Sequence, residues 1–449
     1  MSSIIDKSML NGEQKFVLED MVSKVTRLVA NGEYKSAKIE DRMLCLSGSS
    51  GVGKSTTISL ILKEFYNRGL NVLATTPTHK SKSVLEEMMQ NAEVNFQAQT
   101  IHSYLKLSVK NNLETGKQDL VQRQGGNPIE EYDIIVLDES SMISKELLEY
   151  IYAELGQDTF KCIIFLGDSY QLLSVGEDES PVFNLENITQ YRLHKVMRQK
   201  GENPIIDICT VLRDCIISGK YLSNMELKEL FLENLGEHIE RVSDNKALLE
   251  RYFASEYPHN TNSVIAYKNK SVSLLNSKIR NQLIDSDECF TTEEELIFLS
   301  AMVKDDIVVI ANNEIVTIQS LKKIKDNDLD IEYWKIIDDQ DRLFRVVDLF
   351  SKDDFDYELA ELAKKAKKAV GMEKSALWRR FFELKETFQD VAYTYAGSTF
   401  KAQGSSYNEV FYHLDEVLSM RHILGDENLF RAIYVGISRA KHKLIVLMR

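Results

Sequence analysis

The sequence predicts an α/β protein with two parallel-sheet cores, each of which carries an insertion. Short apolar runs of strand length alternate with helical patterns in the first part of the chain. A second set of such runs follows much later, and regions of a different, more polar character lie between the two sets. Strands that alternate with helices are typical of units that form parallel sheets. The regions that break the alternation are therefore interpreted as insertions.

The strands of the first set are predicted at residues 43–47, 71–76, 133–139 and 161–168. These runs are predominantly apolar, which is typical of strands that are buried on both faces of a parallel sheet. Between the first two runs, "TTISLILKEFYNRG" has apolar side chains at helical spacing and ends at Gly69. A helix is therefore expected directly after the first strand.

The second set of strands is predicted at residues 262–267, 409–414 and 443–448. In the first insertion, "YLKLSVK" and "KQDLVQR" flank the turn-like "NNLETG", which predicts a hairpin. Short strands are expected over about 290–350 and charged helices over about 355–390. The predicted domains are a first core at 1–190, with its insertion at about 103–132, and a second core at 191–449, with its insertion at about 285–392.

Composition limits the classes of function. The 449-residue chain has a net charge of −14 at pH 7, and its five cysteines are scattered without a Cys-x-x-Cys pair. The cysteine pattern argues against a zinc site and a disulfide framework, so a reducing cytoplasm is expected. No signal-peptide pattern and no bilayer-length apolar run is found, so no membrane partner is expected. The acidic balance weighs against a protein that coats nucleic acid, but permits basic groups along one channel.

The stretch "GSSGVGKST" follows the first predicted strand and precedes the first predicted helix. This is the required context for a phosphate-binding loop, in which glycines let successive N–H groups point at phosphate oxygens. Lys54 is expected to reach the β- and γ-phosphates, and the Ser55 hydroxyl is expected to bind Mg²⁺. The residues predicted to bind the nucleotide here are Gly48, Ser49, Ser50, Gly51, Val52, Gly53, Lys54, Ser55 and Thr56.

Two further strand ends supply the polar groups that hydrolysis needs. Asp138 ends an apolar run and could hold Mg²⁺ through water, and Glu139 beside it could polarise the attacking water. In "FLGDSYQL", Asp168 and Gln171 lie where a polar side chain could sense the γ-phosphate. Together with the loop, these residues predict a P-loop NTPase that hydrolyses its nucleotide rather than transferring phosphate to a small acceptor.

An ordered set of motifs then resembles the superfamily one DNA helicases of the RecD-like branch, and within that branch the compact members encoded by bacteriophages. The resemblance covers nearly the whole chain and implies two RecA-like cores. The motifs are "LNGEQK" (10–15), "GSSGVGKS" (48–55), "TTPTHKSK" (75–82), "QTIHSYL" (99–105), "VLDESSM" (136–142), "GDSYQLLSV" (167–175), "LHKVMRQKGENPII" (193–206), "IAYKNKSVSLLN" (265–276), "STFKAQGSS" (398–406) and "YVGISRAK" (434–441).

The resemblance implies roles for individual residues. Gln14 corresponds to the glutamine that reads adenine, which implies ATP, and Gln171 to the residue that links the γ-phosphate to the DNA cleft. Arg198 and Arg439 correspond to two arginines that reach the γ-phosphate from the second core. Gln403 and Gly404 lie in the motif that touches both ATP and DNA. The residues implied to contact DNA are Thr78, His79, Thr100, His102, Ser398 and Lys401.

The chain departs from the family at one motif. Phe400 stands where the family usually has histidine before Lys-Ala-Gln-Gly, and Ser398 replaces the common threonine. Both changes lie near the expected junction of ATP and DNA. They are therefore expected to alter strand affinity or coupling, while the ATPase prediction depends on neither.

Both insertions have a functional and a structural interpretation. The hairpin could split the duplex, with Tyr104 or Leu107 as apolar candidates, or it could be an irregular surface loop. The lysines of the charged helices could border single-stranded DNA, with Trp378 available for stacking. They could equally be a solvated face, with Trp378 and Phe382 in a core. The lysines concerned are Lys364, Lys365, Lys367 and Lys368.

The sequence thus predicts a monomeric, ATP- and Mg²⁺-dependent DNA helicase that translocates on single strands, with 5′-to-3′ polarity implied by the resemblance. Single-stranded and forked DNA are the expected partners, together with a single-strand-binding or other replication protein. A phage-encoded chain acting in replication, recombination or repair would work in the host cytoplasm. An RNA helicase or RNP remodeller, and an ATP-gated DNA-binding or loading factor, remain alternatives.

Overall fold

The computed structural model describes residues 6–49, 52–77, 79–123, 129–172, 181–194, 203–304 and 307–449, without the side chains of 79, 80, 83, 84, 87 and 307. The strands are β1 Met43–Gly48, β2 Val72–Thr76, β3 Gln97–Thr100, β4 Leu107–Asn111, β5 Gln118–Gln122, β6 Tyr132–Leu137, β7 Phe160–Gly167, β8 Thr189–Leu193, β9 Ile239–Val242, β10 Ser263–Ala266, β11 Glu295–Phe298, β12 Met302–Lys304, β13 Ile307–Ile310, β14 Ile315–Asp326, β15 Ile331–Asp338, β16 Leu343–Val347, β17 Val391–Tyr393, β18 Ala396–Ser398, β19 Tyr407–Tyr412 and β20 Ala440–Leu447. The helices are α1 Gly12–Ala30, α2 Lys54–Asn67, α3 His79–Asn91, α4 Ile101–Tyr104, α5 Lys145–Gly156, α6 Pro204–Ser218, α7 Asn224–Glu233, α8 Asn245–Phe253, α9 Asn269–Leu283, α10 Lys352–Lys368, α11 Gly371–Thr387, α12 Thr399–Ala402, α13 Leu414–Ser419 and α14 Arg421–Ile437.

The chain folds into two compact units, each assembled from separated stretches. The first unit comprises Met1–Leu105, Gly126–Val272 and Gly397–Arg449. The second comprises Lys106–Gly125 and Ser273–Ala396. The two sheets of predicted core strands thus belong to the first unit, whereas the predicted insertions supply most of the second.

The first sheet of the first unit has the strand order β3-β2-β6-β7-β1-β8, and every neighbouring pair is parallel. All residues of β1 and β2 are buried, as expected for strands covered on both faces. The four strands predicted in this region are confirmed. Because β6, β7 and β1 are neighbours, their carboxyl ends meet at one edge, where open α/β sheets bind their ligands.

The second sheet has the order β18-β10-β19-β20-β9, and the pairs joining β10, β19, β20 and β9 are parallel. The three strands predicted here from apolar runs are also confirmed. Helix α14 covers this sheet with a continuous buried stretch, Leu429–Ile437. The prediction of two parallel-sheet cores is therefore correct.

The second unit contains an antiparallel sheet of order β16-β15-β14-β11-β17, the hairpin β12–β13 and the hairpin β4–β5. Helices α10 and α11 follow the sheet strands in sequence, as predicted from the charged stretch. Phe298, Trp334 and Phe344 lie in the core of the antiparallel sheet. In the part of the chain that the structure describes, no helix has the length and apolar character needed to cross a membrane.

Candidate active site

The loop between β1 and α2 forms a cradle of backbone. Gly53 has φ of +80° and directly precedes α2, so the residue at the N-cap has no side chain that could cap the first N–H groups of the helix, the position at which helices bind anions. A Cβ atom at Gly48 would lie 2.8 Å from Val52 Cγ2 and 3.0 Å from the carbonyl oxygen of Leu193. Only glycine fits this close approach, as a phosphate-binding loop requires.

Lys54 lies over the loop that precedes it. Its ammonium donates to the carbonyl oxygens of Gly48 and Ser49, the latter at 3.0 Å. Ser55 is exposed and Thr56 half-buried on the first turn of α2. Ser50 and Gly51, also predicted to bind the nucleotide, lie outside the described residues. An ammonium placed beside the backbone of such a loop is chemically suited to bind a polyphosphate.

Gln14 is buried and joins α1 to the loop. Its Oε1 accepts from the N–H of Asn11, and its Nε2 donates to the carbonyl oxygen of Val52 at 3.0 Å. The side chain of Asn11 in turn accepts from the N–H of Gln14, which completes a capping box. A second lone pair and a second proton remain on the Gln14 amide, so its predicted contact with adenine is compatible with both bonds.

The carboxylates of Asp138 and Glu139 stand at the end of β6. The Glu139 backbone is left-handed, with φ of +53°, and its N–H donates to Asp138 Oδ1 at 2.8 Å. A left-handed conformation costs a non-glycine residue about 1–2 kcal/mol. Glu139 follows the carboxyl end of β6, at the same edge of the sheet where the phosphate loop follows β1.

The environment of these carboxylates disfavours two negative charges. Burial, reinforced by the charge of Asp138, raises the pKa of Glu139 to about 7. Burial also raises the pKa of Asp138, against the opposing effects of the Glu139 N–H and Lys54. A nearby cation stabilises the charged form of such buried carboxylates. Ser55 and Asp138 are the residues that would hold Mg²⁺ here, and the chemistry of these donors suits that ion.

The turn that follows β7 is held by residues of both cores. Asp168 is fully buried, and its Oδ2 accepts from the hydroxyl of Tyr434 at 2.5 Å. The amide Nε2 of Gln403 donates to Gln171 Oε1, to Ser141 Oγ and to the carbonyl oxygen of Leu172, each at 3.2 Å. The structure thus brings Gln171 and Gln403 together.

Gly404 approaches Glu139 directly. A Cβ atom on Gly404, which has φ of +72°, would lie 2.6 Å from Ser81 Oγ and 3.8 Å from Glu139 Oε1. The motif that contains Gln403 and Gly404 therefore packs against the first core beside its acidic pair.

Arg439 is buried and bonded within its own core. Its guanidinium donates to the carbonyl oxygens of Val435 and Ser405 and to Ser438 Oγ. Its positive charge still acts to lower the pKa of Glu139, against the larger effect of burial. Arg198, the second arginine predicted to reach the γ-phosphate, lies outside the described residues.

Three contacts between the cores involve residues for which the sequence predicted no individual role. Arg213 on α6 donates from Nη1 to Ser49 Oγ at 3.1 Å. Arg431 donates from Nη1 to the carbonyl oxygens of Ser169 and Gln171, and Tyr434 bonds to Asp168 as described. Tyr434 opens the quoted "YVGISRAK" stretch, so its motif offered a signal. Nothing in the local sequence distinguishes Arg213 from a surface arginine.

Two predicted DNA contacts are N-caps of matching one-turn helices. Thr100 caps α4 by accepting from the N–H of Ser103 at 3.1 Å, and Ser398 caps α12 by accepting from the N–H of Lys401 at 3.4 Å. His102 on α4 and Lys401 on α12 are half-buried. Thr78 and the side chain of His79 lie outside the described residues.

Two roles suggested for side chains of the insertions are wrong. Tyr104 and Leu107 are buried, so neither side chain is available as an exposed apolar wedge. Trp378 is also buried, with its ring against Gly116 in the turn of the hairpin. It packs with Ala366, Phe382 and Leu113. The stacking role suggested for Trp378 is therefore wrong, and the core interpretation is correct, because the hairpin covers the ring.

The chain is similar to known protein families in two regions. Residues 33–177 match the AAA domain family, and residues 393–447 match the UvrD-like helicase C-terminal domain family. The first match covers the phosphate loop and the acidic pair. The second covers Gln403, Gly404 and Arg439.

The chain is also similar to individual proteins over larger parts of its length. The ATP-dependent DNA helicase Dda of Enterobacteria phage T4 is 25% identical over 448 residues, which cover 91% of this chain and 95% of that protein. An uncharacterized protein of Acanthamoeba polyphaga mimivirus is 29% identical over 269 residues, covering 55% of this chain and 53% of that protein. The crystal structure of the Pif1 helicase from Candida albicans aligns over 98% of this chain and 95% of that chain, at 16% identity and a TM-score of 0.46.

Proposed function

Because the chain belongs to the superfamily one helicases, we propose that it is an ATP-dependent DNA helicase that translocates on single-stranded DNA and unwinds duplex. One observation carries this proposal. The acidic pair of the first core lies against the Gln403–Gly404 segment of the second core, with Gly404 beside Glu139, and Arg213 of the second core donates to Ser49 in the phosphate loop. A motor needs a nucleotide site to which both cores contribute, because hydrolysis can then change the position of one core relative to the other.

The residues of the first core are proposed to divide the chemistry. Lys54 and the N–H groups at the start of α2 bind the β- and γ-phosphates of ATP, and Ser55 and Asp138 hold Mg²⁺. The ion, when bound, neutralises charge that develops on the phosphate oxygens. Glu139 orients the attacking water and accepts its proton. The left-handed backbone of Glu139 supports this role, because strain of this kind clusters at active sites.

The second core is proposed to contribute charge and coupling. Arg439 and Arg198 stabilise the charge on the γ-phosphate in the transition state, an effect worth roughly 10³–10⁵ in rate for arginines of this type. Gln171 reports the state of that phosphate to Gln403, whose motif continues to Lys401 and Ser398 on the proposed DNA side. Gln14 selects adenine.

The hairpin β4–β5 is proposed to be the element that separates the strands. Its turn is supported from within the second unit, since Gly116 and Leu113 pack on Trp378. Asn111 Nδ2 also donates to Glu386 Oε1 at 2.6 Å. A wedge must resist the duplex that it meets, and an unsupported two-stranded hairpin is only marginally stable. The docked turn favours this role over that of an irregular surface loop.

The remaining assignments follow from the family and from the phage T4 relative. We propose 5′-to-3′ polarity, a monomeric enzyme and a role in phage replication or recombination in the host cytoplasm. A single-strand-binding protein is the proposed companion, because unwound strands would otherwise reanneal behind the enzyme.

ATP hydrolysis with and without single-stranded DNA tests the motor directly. We expect strong stimulation by DNA, and a Lys54→Ala variant that folds normally but does not hydrolyse ATP. Stimulation by RNA homopolymers instead of DNA would identify an RNA helicase or RNP remodeller. Wild-type turnover in Lys54→Ala would exclude the proposed site.

Strand displacement on forked substrates separates a helicase from a DNA-loading factor. Substrates with only a 5′ or only a 3′ single-stranded tail report polarity. We expect unwinding from the 5′ tail. DNA-stimulated hydrolysis without displacement on either substrate would leave the loading factor as the function.

A further inference from the structure

We propose that Tyr434 and Arg431, which belong to the second core, are positioning residues. They hold Gln171 of the first core in place for the nucleotide. This inference rests on the proposed function, because it concerns how the second core controls ATP hydrolysis. Both residues lie on α14, three positions apart, and therefore on the same face of that helix. Both contact the 168–172 turn of the first core.

The first contact is a buried bond to a carboxylate. Asp168 is fully buried and Tyr434 almost so. The Tyr434 hydroxyl donates to Asp168 Oδ2 at 2.5 Å, while Asp168 Oδ1 accepts from the N–H of Tyr170 at 3.0 Å. Each carboxylate oxygen thus has a separate donor, one from each core. Loss of the hydroxyl would leave Oδ2 without this donor, and an unsatisfied buried acceptor is costly.

The second contact fixes the backbone of the same turn. Nη1 of Arg431 donates to the carbonyl oxygens of Ser169 and Gln171, at 2.6 and 3.0 Å. Glu427, one helical turn earlier, accepts from Nε and Nη2 of Arg431 at 3.0 and 2.8 Å. The guanidinium is therefore oriented by its own helix before it reaches the turn.

These contacts determine where the Gln171 side chain lies. Arg431 holds the Gln171 carbonyl, and the Gln171 N–H bonds back to the carbonyl of Asp168 at 3.2 Å. The side-chain oxygen then accepts from Gln403. The Gln403 Nε2 has two protons but three acceptors, so a small shift of the turn changes which acceptors it serves. A displacement of α14 would therefore move Gln171 relative to the phosphate loop.

A Tyr434→Phe substitution tests this role with minimal change in shape. The matched control is Tyr412→Phe. The Tyr412 hydroxyl is also buried, but it donates to the Ala432 carbonyl oxygen at 3.2 Å within the second core. We expect Tyr434→Phe to lower DNA-stimulated kcat by at least about fivefold, with KM for ATP unchanged. Tyr412→Phe should change kcat by less than about twofold after folding is verified by thermal unfolding.

An Arg431→Lys variant provides a second test, which remains if Tyr434→Phe does not fold. It keeps the positive charge, but an ammonium cannot reproduce the oriented guanidinium fork. We expect the same loss of kcat at unchanged KM. Wild-type kcat in Tyr434→Phe or in a folded Arg431→Lys, equal losses in Tyr434→Phe and Tyr412→Phe, or a change confined to KM would overturn the inference. If the wild-type protein itself shows no DNA-stimulated hydrolysis, the proposed function fails instead.

Discussion

At the scale of single residues, Glu139 combines a strained backbone with a shifted ionisation. Its φ of +53° places a non-glycine residue in the left-handed region, and its pKa is raised to about 7, first by burial and then by Asp138. The fold therefore holds this carboxylate in a conformation and a charge state that both cost stability. Such a cost is expected where a residue is retained for chemistry.

A Glu139→Gln variant should bind ATP and DNA but hydrolyse ATP at least about 100-fold more slowly, because only the activation of water is lost. Nucleotide affinity and turnover should be measured on the same preparation. Lys54→Ala is the contrasting variant, since it removes a phosphate contact and should weaken binding as well. A parallel collapse of affinity and turnover in Glu139→Gln would show that Glu139 holds the nucleotide.

The raised pKa of Glu139 also predicts a pH dependence of stability. Between its unfolded value of 4.5 and about 7, the folded protein binds the proton more tightly than the unfolded chain. The free energy of unfolding contributed by Glu139 therefore falls as pH rises through this window. Wild type should lose stability relative to Glu139→Gln between pH 5 and 8, as measured by urea unfolding with a chelator present. A difference that does not vary with pH would contradict the assigned burial.

Phe400 offers a prediction particular to this chain. It is 39% exposed on α12, near the ring of Tyr267, where the family usually has histidine. An exposed aromatic ring can stack on a base, a contact worth about 1–3 kcal/mol. Phe400→Ala should weaken single-strand binding about tenfold or more without changing its salt dependence, because no charge is removed. Phe16→Ala, which removes an exposed phenylalanine from α1, should leave binding unchanged.

At the scale of secondary-structure elements, the core strands were predictable because a short run of apolar residues is enough to indicate a buried strand. The apolar run at 133–139 predicted β6, which ends at Leu137 because Asp138 and Glu139 turn out of the strand. The phosphate loop was predictable because its glycines serve local backbone geometry. Contacts between side chains that are far apart in the sequence were not predictable. The bond between Tyr434 and Asp168 joins residues 266 apart. The ring of Trp378 is covered by Gly116, which lies in a distant part of the sequence.

The turn of the hairpin gives a prediction about unwinding. Gly116 has φ of +69°, and a Cβ atom there would lie 2.1 Å from the Trp378 ring. Gly116→Ala should therefore displace the turn, reducing strand separation severalfold while DNA-stimulated ATPase activity persists. Gly371→Ala is the control, because Gly371 has φ of +60° but nothing within 4 Å of the added atom. Equal losses in both variants would attribute the effect to backbone strain alone.

At the scale of the whole molecule, a chain of net charge −14 must hold a polyanion. Helix α10 carries four exposed lysines on its last turns, Lys364, Lys365, Lys367 and Lys368, of which Lys364 pairs with Glu361 at 2.9 Å. A localised basic cleft would neutralise only a few phosphates. The salt dependence of binding then distinguishes a cleft that includes α10 from one built by the two sheet cores alone.

Single-strand affinity should fall linearly with salt on a log–log plot, with a slope of roughly −0.7 per phosphate neutralised. If α10 contributes, replacing all four lysines with glutamine should make the slope shallower and unwinding poorer. ATPase activity should then recover at high DNA concentration. An unchanged slope would mean that these lysines form a solvated face.

The interleaved layout of the two units has a consequence for synthesis. Asn111 in the hairpin bonds to Glu386, 275 residues later, and the first unit is completed only by Gly397–Arg449. At a translation rate of about 5–20 residues per second, the hairpin emerges roughly 15 to 55 seconds before its support exists. Neither unit can finish folding on the ribosome before the last stretch of its chain appears. During elongation the nascent protein thus exposes surfaces whose partners have not yet been synthesised, so we expect its folding to depend on chaperones. Truncation of the last stretch, Gly397–Arg449, should prevent the first unit from completing its fold.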